Sequence, residues 1–398
     1  MARTRVRDLW AFAPWMLLAC AEEGATTPDP VEDWHTVAEF EIGDRMDGDA
    51  LFGFFIDVAP SEDGSRVNVL DSEASEVTIW TPQGNLLTRL GRAGGGPGEF
   101  QRPSRLTLLP DGVYVRDDRR ITTFTPDGEL AGTQDYPRNV PFQGFPVQIW
   151  DAFSDGSFAA LAAPAVLDQT MASDPTEHLP VLRIAEEGGS WRPEVLAQLS
   201  FRNWQASVQV EAGSRPSPLP QPWVTPDHFE VDHLSATVVV KRGFETLPGL
   251  IELIEITTAG DTVWTRRVQL PATPVTEEQI QAEVNEWAAL LAEDPSPALK
   301  SRIRAAWHIP QYWPAVRQIS LMSNGEIWFE PLGADTPGVW YAVRRGSEGG
   351  PVRRITAPES FEPRDVTATH VWGVRRDELD VGYVTGLRLL PGQLQEPP

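Results

Sequence analysis

The sequence predicts an all-β chain folded as a six-bladed β-propeller with four-stranded blades, its ring closed by an N-terminal strand. Three observations predict it: a turn pattern repeating at a blade-sized interval, strand-like runs between those turns, and a strand-like N-terminal segment that belongs to no other blade. Thr81-Pro82-Gln83-Gly84 recurs as Thr125-Pro126-Asp127-Gly128, and Asp111-Gly112 recurs as Asp155-Gly156, both 44 positions on. Asp-Gly between β-branched and aromatic runs marks a hairpin, because both residues tolerate positive φ. A four-stranded blade takes roughly 40–45 residues, which the interval matches.

From the N-terminus, residues 1–19 read as an export signal, with Arg3, Arg5 and Arg7 preceding an apolar run from Leu9 to Ala19. The run is about half of the roughly 20 residues that span a bilayer. Leu17-Leu18-Ala19-Cys20 resembles the lipobox of bacterial lipoproteins, in which the cysteine is acylated. Cys20 is the single cysteine of the chain, and acylation accounts for a thiol that would otherwise stand unpaired in an oxidising compartment. Residues 20–34 lack apolar periodicity and read as a flexible lipidated tether. The propeller is expected over 35–398, in the cell envelope, lipid-anchored on the periplasmic or outer-surface side.

The first blade is expected to use Phe55–Val58, Val67–Leu70, Val77–Trp80 and Leu86-Leu87, and the second Leu106–Leu109, Val113–Val115, Ile121–Phe124 and a strand near Leu130. Val147–Trp150, Phe158–Leu161 and Val181–Ile184 build the third. Phe229–Val231, Thr237–Val240, Ile251–Ile254 and Thr262–Trp264 build the fourth. The fifth holds Gln318–Leu321, Ile327–Phe329 and Tyr341–Val343; the sixth holds Val366–Ala368, Val371–Val374 and Val381–Val384. The sixth lacks a fourth strand, and Thr36–Ile42 is assigned to that place, because pairing the two ends removes open sheet edges. Between blades four and five, a helical insertion is expected over 275–308. Thr276 and Gln279 form a capping box, Ile280, Val284, Trp287 and Leu291 recur at helical spacing, and Ser296-Pro297 starts a second helix.

Gly91-Arg92-Ala93-Gly94-Gly95-Gly96-Pro97-Gly98-Glu99-Phe100 followed by Pro103 resembles the loop joining blades in NHL-type propellers, and Asp111 through Gly128 resembles the NHL repeat. The chain after Cys20 is similar to bacterial six-bladed propeller lipoproteins. The resemblance implies a fold and leaves the task open. The glycine run is followed by a strand, whereas a phosphate cradle needs a helix there, so it is assigned to the blade crossing.

The formal net charge is −24, and −26 once the leader's three arginines and one aspartate are gone. Nucleic acid and anionic lipid, which require a basic footprint, are therefore excluded as partners. No Gly-x-Ser-x-Gly elbow is present, and no catalytic set is assigned. The expected function is a non-catalytic binding or scaffolding module working through the propeller's loop face on a protein, peptide or glycan. Phe142, Phe145, Trp204, Trp223, Tyr312 and Trp313 precede inner strands, and with Arg317 and Arg364 they form the candidate ligand face. The alternative is a lactonase-like, metal-dependent hydrolase or lyase. It would hold a divalent cation such as calcium in the central channel through His228, Glu230, Asp57 and His370. No cofactor is expected on the leading reading.

Overall fold

The computed structural model describes residues 29–43, 52–53, 56–162, 178–201, 205–211, 213–333, 338–347 and 349–394. Residues 1–28, with Cys20 and the expected leader, lie outside them, as does Trp204.

Strand β1 (Val31–Ile42) comes first, and it corrects the boundary expected at 34/35: residues 31–34, expected in the tether, are strand paired in parallel with 352–355. The expected hairpins then fold into antiparallel sheets of four: β2 (Ile56–Pro60), β3 (Val67–Asp71), β4 (Glu76–Trp80) and β5 (Leu86–Leu90); then β6 (Arg105–Leu109), β7 (Gly112–Arg116), β8 (Arg120–Phe124) and β9 (Leu130–Asp135). The 44-residue repeat is structural in these two sheets. Gly84 and Gly128 sit at φ +81° and +88° and donate to the carbonyls of Thr81 and Thr125. In both, the threonine hydroxyl accepts the amide of the residue after the glycine. The second recurring dipeptide differs: Gly112 pairs with Leu109 across a two-residue turn, whereas Gly156 lies in a longer connection.

The third sheet is β10 (Val147–Ala152), β11 (Phe158–Ala162), β12 (His178–Glu187) and β13 (Ser190–Ser200). A separate hairpin, β14 (Gln205–Val208) and β15 (Ser217–Pro220), precedes the fourth sheet, made of β16 (His228–Asp232), β17 (Thr237–Gly243), β18 (Leu250–Thr257) and β19 (Thr262–Gln269). Helices α1 (Glu277–Leu291) and α2 (Pro297–Ala306) follow. Thr276 and Gln279 make the reciprocal capping box; Ser296 caps α2 with Pro297 in its first turn. Then come β20 (Val316–Leu321), β21 (Glu326–Pro331), β22 (Val339–Arg344), β23 (Val352–Thr356), β24 (Phe361–Val366), β25 (His370–Arg376) and β26 (Gly382–Leu394).

The all-β architecture, the four-stranded blades and the two helices agree with the sequence; six separate sheets do not. Four are separate, and the last seven strands join β1 in one eight-stranded sheet, β20-β21-β22-β23-β1-β26-β25-β24. The reason is β1, which pairs antiparallel with β26 from Glu32 to Ile42 and parallel with β23 from Val31 to His35. The first strand of the final group is also displaced. It runs Phe361–Val366, and Thr367 turns the chain toward His370. Pro363 obscured it, yet a strand with one open edge tolerates a proline, and a bulge lies between Pro363 and Asp365.

Sheets packed face to face bury both sides of a strand, so β3 is buried at every position. One apolar cluster joins Leu70, Val77 and Leu90 of the first sheet to Leu106, Val113 and Val115 of the second. Another joins Val58 and Trp80 to Trp372 and Val384. Side chain–backbone bonds stitch the same seams in a circle. Asp57 Oδ2 accepts Leu106 N at 2.7 Å, Arg116 donates to Trp150 O, His233 Nδ1 lies 2.9 Å from Ala152 O, and Ile319 N donates to His228 Nδ1 at 3.4 Å. Asp365 Oδ1 accepts Ser323 N at 2.8 Å, and Arg364 Nε donates to Ile56 O at 3.1 Å. Among the described residues no helix is long and apolar enough to cross a membrane.

Candidate functional site

Two places gather chemistry: the centre of the circle of first strands, and a cleft beside the helices.

At the centre, Arg105 Nη1 on β6 reaches past the third sheet to Glu230 Oε2 on β16 at 2.8 Å, with side-chain exposures of 27% and 13%. The Glu230 carboxylate, helped by Asp151 and Asp57, holds the guanidinium charged well above its ordinary range. Burial pushes Asp365 up to about 6, against the pull of the Ser323 and Val366 amides, and the Asp57 charge adds to the rise. Burial depresses the His228 pKa, partly offset by Glu230, whose Oε1 lies 3.8 Å from His228 Nε2.

The four candidate metal ligands do not form one site. His228 and Glu230 meet, but Arg105 already holds the Glu230 carboxylate, and Asp57 is spent on the amides of Leu106 and Val58. His370 is on β25, not on a first strand; its Nε2 lies 3.1 Å from Glu39 Oε2, with its ring against Phe40 and Trp372. Among the described residues no three His, Cys, Asp or Glu side chains are placed to hold a metal ion.

The cleft is built from the helical insertion upward. Ile280, Val284 and Ala288 of α1 and Leu299 and Ile303 of α2 bury their stripes against Val208 and Leu219 of the β14–β15 hairpin, with Trp223 and Trp307 between. Trp223 stands edge-on to Trp307 at 5.5 Å and to Trp313 at 6.3 Å. Trp307 Nε1 donates to Pro220 O at 2.7 Å and Trp313 Nε1 to Gln279 Oε1 at 3.2 Å, whereas Trp223 Nε1 has no partner among the described residues. The helices and hairpin thus form one cap with its own core, joined to the sheets through the described segments 221–227, 270–276 and 308–315.

Between this cap and the fourth sheet lies a cavity of about 220 Å³, lined by Trp223, Phe244, Pro310, Tyr312, Trp313 and Pro314, with Asp227, Glu245 and His308 as its ionisable groups. His308 Nε2 meets Glu245 Oε1 at 2.7 Å, both residues lining the cavity. Asp227 accepts Ser200 N at 2.8 Å and Gly243 N at 3.4 Å; burial raises its pKa. Behind it Lys241, 1% exposed, donates to Pro226 O at 2.9 Å and Arg317 O at 3.4 Å, and desolvation brings it down to about 8.

Of the residues assigned to a ligand face, Trp223, Tyr312 and Trp313 line this cleft. Phe142 and Phe145 pair with each other in a bridge and pack against the apolar cluster around Phe158. Arg317 is exposed on β20, beside the lining residue Val316. Arg364 is engaged with Ile56 O and Glu362 at the circle of first strands. Glu245 and Lys241 were not anticipated. Lys241 had a signal, being one of two lysines and ending a run of three valines; Glu245 sits in a β17–β18 turn with no distinguishing pattern.

The glycine run is consumed internally. Glu99 accepts Gly96 N at 2.7 Å, Arg120 donates to the carbonyls of Gly95, Gly96 and Glu99, and Phe100 is fully buried.

Four antiparallel sheets of four and one of eight, linked to one another through their first strands, make the chain propeller-like. No family model matches it, and no curated protein does. Among solved structures it is similar to a candidate exported protein of Bacteroides fragilis at 8% identity, covering 90% of this chain and 99% of that one, with a TM-score of 0.44. A member of the DUF4221 family from Bacteroides vulgatus aligns at 10% identity, 91% and 99% coverage and a TM-score of 0.45. The PQQ-bound aldose sugar dehydrogenase of Streptomyces coelicolor aligns at 12%, 91% and 100% coverage and 0.38.

Proposed function

We propose that this chain is a six-bladed propeller lipoprotein of the cell envelope that acts as a non-catalytic binding module, with the cap cleft as its ligand site. The blade count treats the eight-stranded sheet as two four-stranded blades sharing the β23–β1 seam, and the closed circle of six first strands supports it. The NHL-like loop from Gly91 to Phe100 fits that reading. The anchor is lipid on Cys20, after removal of residues 1–19. The partner is a protein, peptide or glycan presenting a group small enough for the cleft; no cofactor is required.

The observation that carries the binding reading is the cleft itself: Trp223, Tyr312 and Trp313 converge with three ionisable groups in one cavity. Binding pockets characteristically combine aromatic walls with a few placed polar groups. Arg105 occupies the Glu230 carboxylate that the metal alternative needs. The test is a library screen of peptides, glycans and small molecules against the mature chain and its Tyr312→Ala variant. At least a tenfold loss in the variant, with unchanged melting temperature, is expected. Ligands that bind both proteins equally would move the site elsewhere, and turnover of a lactone or ester by the wild type would overturn the non-catalytic reading.

A further inference from the structure

Resting on that cleft, we infer that its ligand group is a cation carried on a flat apolar body, such as an amidinium, guanidinium or ammonium on a single ring. The lining carboxylates are Asp227 and Glu245, and among the described residues no lysine or arginine lines the cavity. The one basic group there, His308, already lies against Glu245. The cation behind the wall, Lys241, is committed to two backbone carbonyls. The charges of Lys241 and Arg242 act on Asp227, so Glu245 is the carboxylate that an incoming cation meets without a fixed positive charge beside it, and the net charge of −24 favours its approach.

Shape agrees with charge. Tyr312 and Trp313 are half-buried aromatics at the wall, and aromatic faces attract cations within about 6 Å by about 0.5–2 kcal/mol. A cavity of roughly 150 Å³ holds benzene, so about 220 Å³ takes one ring with a polar substituent. Charge-assisted bonds to a carboxylate are roughly twice as strong as neutral ones, which makes Glu245 the group that separates charged from neutral ligands. Asp227 is less available, since two backbone amides already hold it.

Benzamidine, benzamide and benzoate share one ring and differ in charge. Titrated into the full mature chain at pH 8 by calorimetry, benzamidine is expected to bind at least tenfold more tightly than benzamide, with benzoate weakest. Glu245→Gln is expected to weaken benzamidine about tenfold and leave benzamide unchanged. His308→Ala, which frees Glu245, is expected to strengthen benzamidine. Benzamide or benzoate binding as tightly as benzamidine, or a His308→Ala variant that binds benzamidine less well, overturns the inference. So does failure of all three to bind. The cleft reading has its own test in the Tyr312→Ala comparison and stands or falls separately.

Discussion

Burial raises the Asp365 carboxyl, so its ionisation is expected to lower stability at neutral pH, and replacing it with asparagine is expected to raise it. Asp365 is 9% exposed, and its carboxyl accepts the amides of Ser323 and Val366, both at 2.8 Å. Those bonds favour its charge, yet burial outweighs them and lifts the group from 3.8 to about 6. A carboxyl whose folded value exceeds its unfolded value binds more protons in the native state. Its stabilising contribution is complete below pH 3.8 and is lost as pH rises through about 6. A gap of about two units, at about 1.4 kcal/mol each, gives about 3 kcal/mol. Asparagine keeps an oxygen for both amides and removes the titration. Urea unfolding of wild type and Asp365→Asn, followed by tryptophan fluorescence at intervals from pH 4 to 7.5, isolates the group, because titrations distant from it cancel in the difference. The variant should be the more stable at pH 7.5, and its advantage should fall by about 2–3 kcal/mol on reaching pH 4. A difference that is flat with pH, or that grows on acidification, would refute the reasoning.

Two further substitutions test the frame around the sites. Arg105→Met leaves Glu230 without its cation beside Asp151 and Asp57, and should cost about 3–5 kcal/mol in urea unfolding; adding Glu230→Met should restore most of it, and a double variant no better than the single would contradict the ion-pair account. Gly91→Ala places a methyl group within the Phe100 ring at φ +74°. A loss of at least about 2 kcal/mol is expected from overlap and strain together, and a melting temperature within a degree of wild type would show that the blade crossing yields more readily than its packing implies.

Legibility in the sequence followed local rules. The first two sheets were readable because the Gly84 and Gly128 turns impose the same left-handed residue and the strands between them are short and apolar. The capped helices were readable because Thr276, Gln279, Ser296 and Pro297 act within one turn of each helix start. What escaped depended on distant partners. Strand β13 carries mostly exposed residues along its first half, so it shows no apolar pattern, and its existence follows from pairing with β12. The β14–β15 hairpin contains Pro218 and Pro220, which argue against a strand unless the sheet has only two members, each with an open edge. At the cleft, Trp223, Tyr312 and Trp313 were legible as loop aromatics. Their meeting with Glu245 and His308 was not, because a turn between second and third strands and a helix end converge only when the sheet and cap are both formed. His370, expected at the channel, lies past the turn at Thr367 and opens the second strand of its group instead.

The double pairing of β1 bears on the order in which this molecule can be made. The strand leaves the ribosome before nearly everything else in the domain, yet both its neighbours come at the other end; Thr36, which bonds to Thr356 O, is 320 positions from it. Until β23 and β26 have been synthesised, twelve residues of strand have two bare edges, the state most open to pairing with the wrong chain. Contacts so distant in sequence are also slow to form. The first strand can therefore be captured only after β23 and β26 exist, and a chain cut short before β26 loses the antiparallel partner that holds its beginning in place.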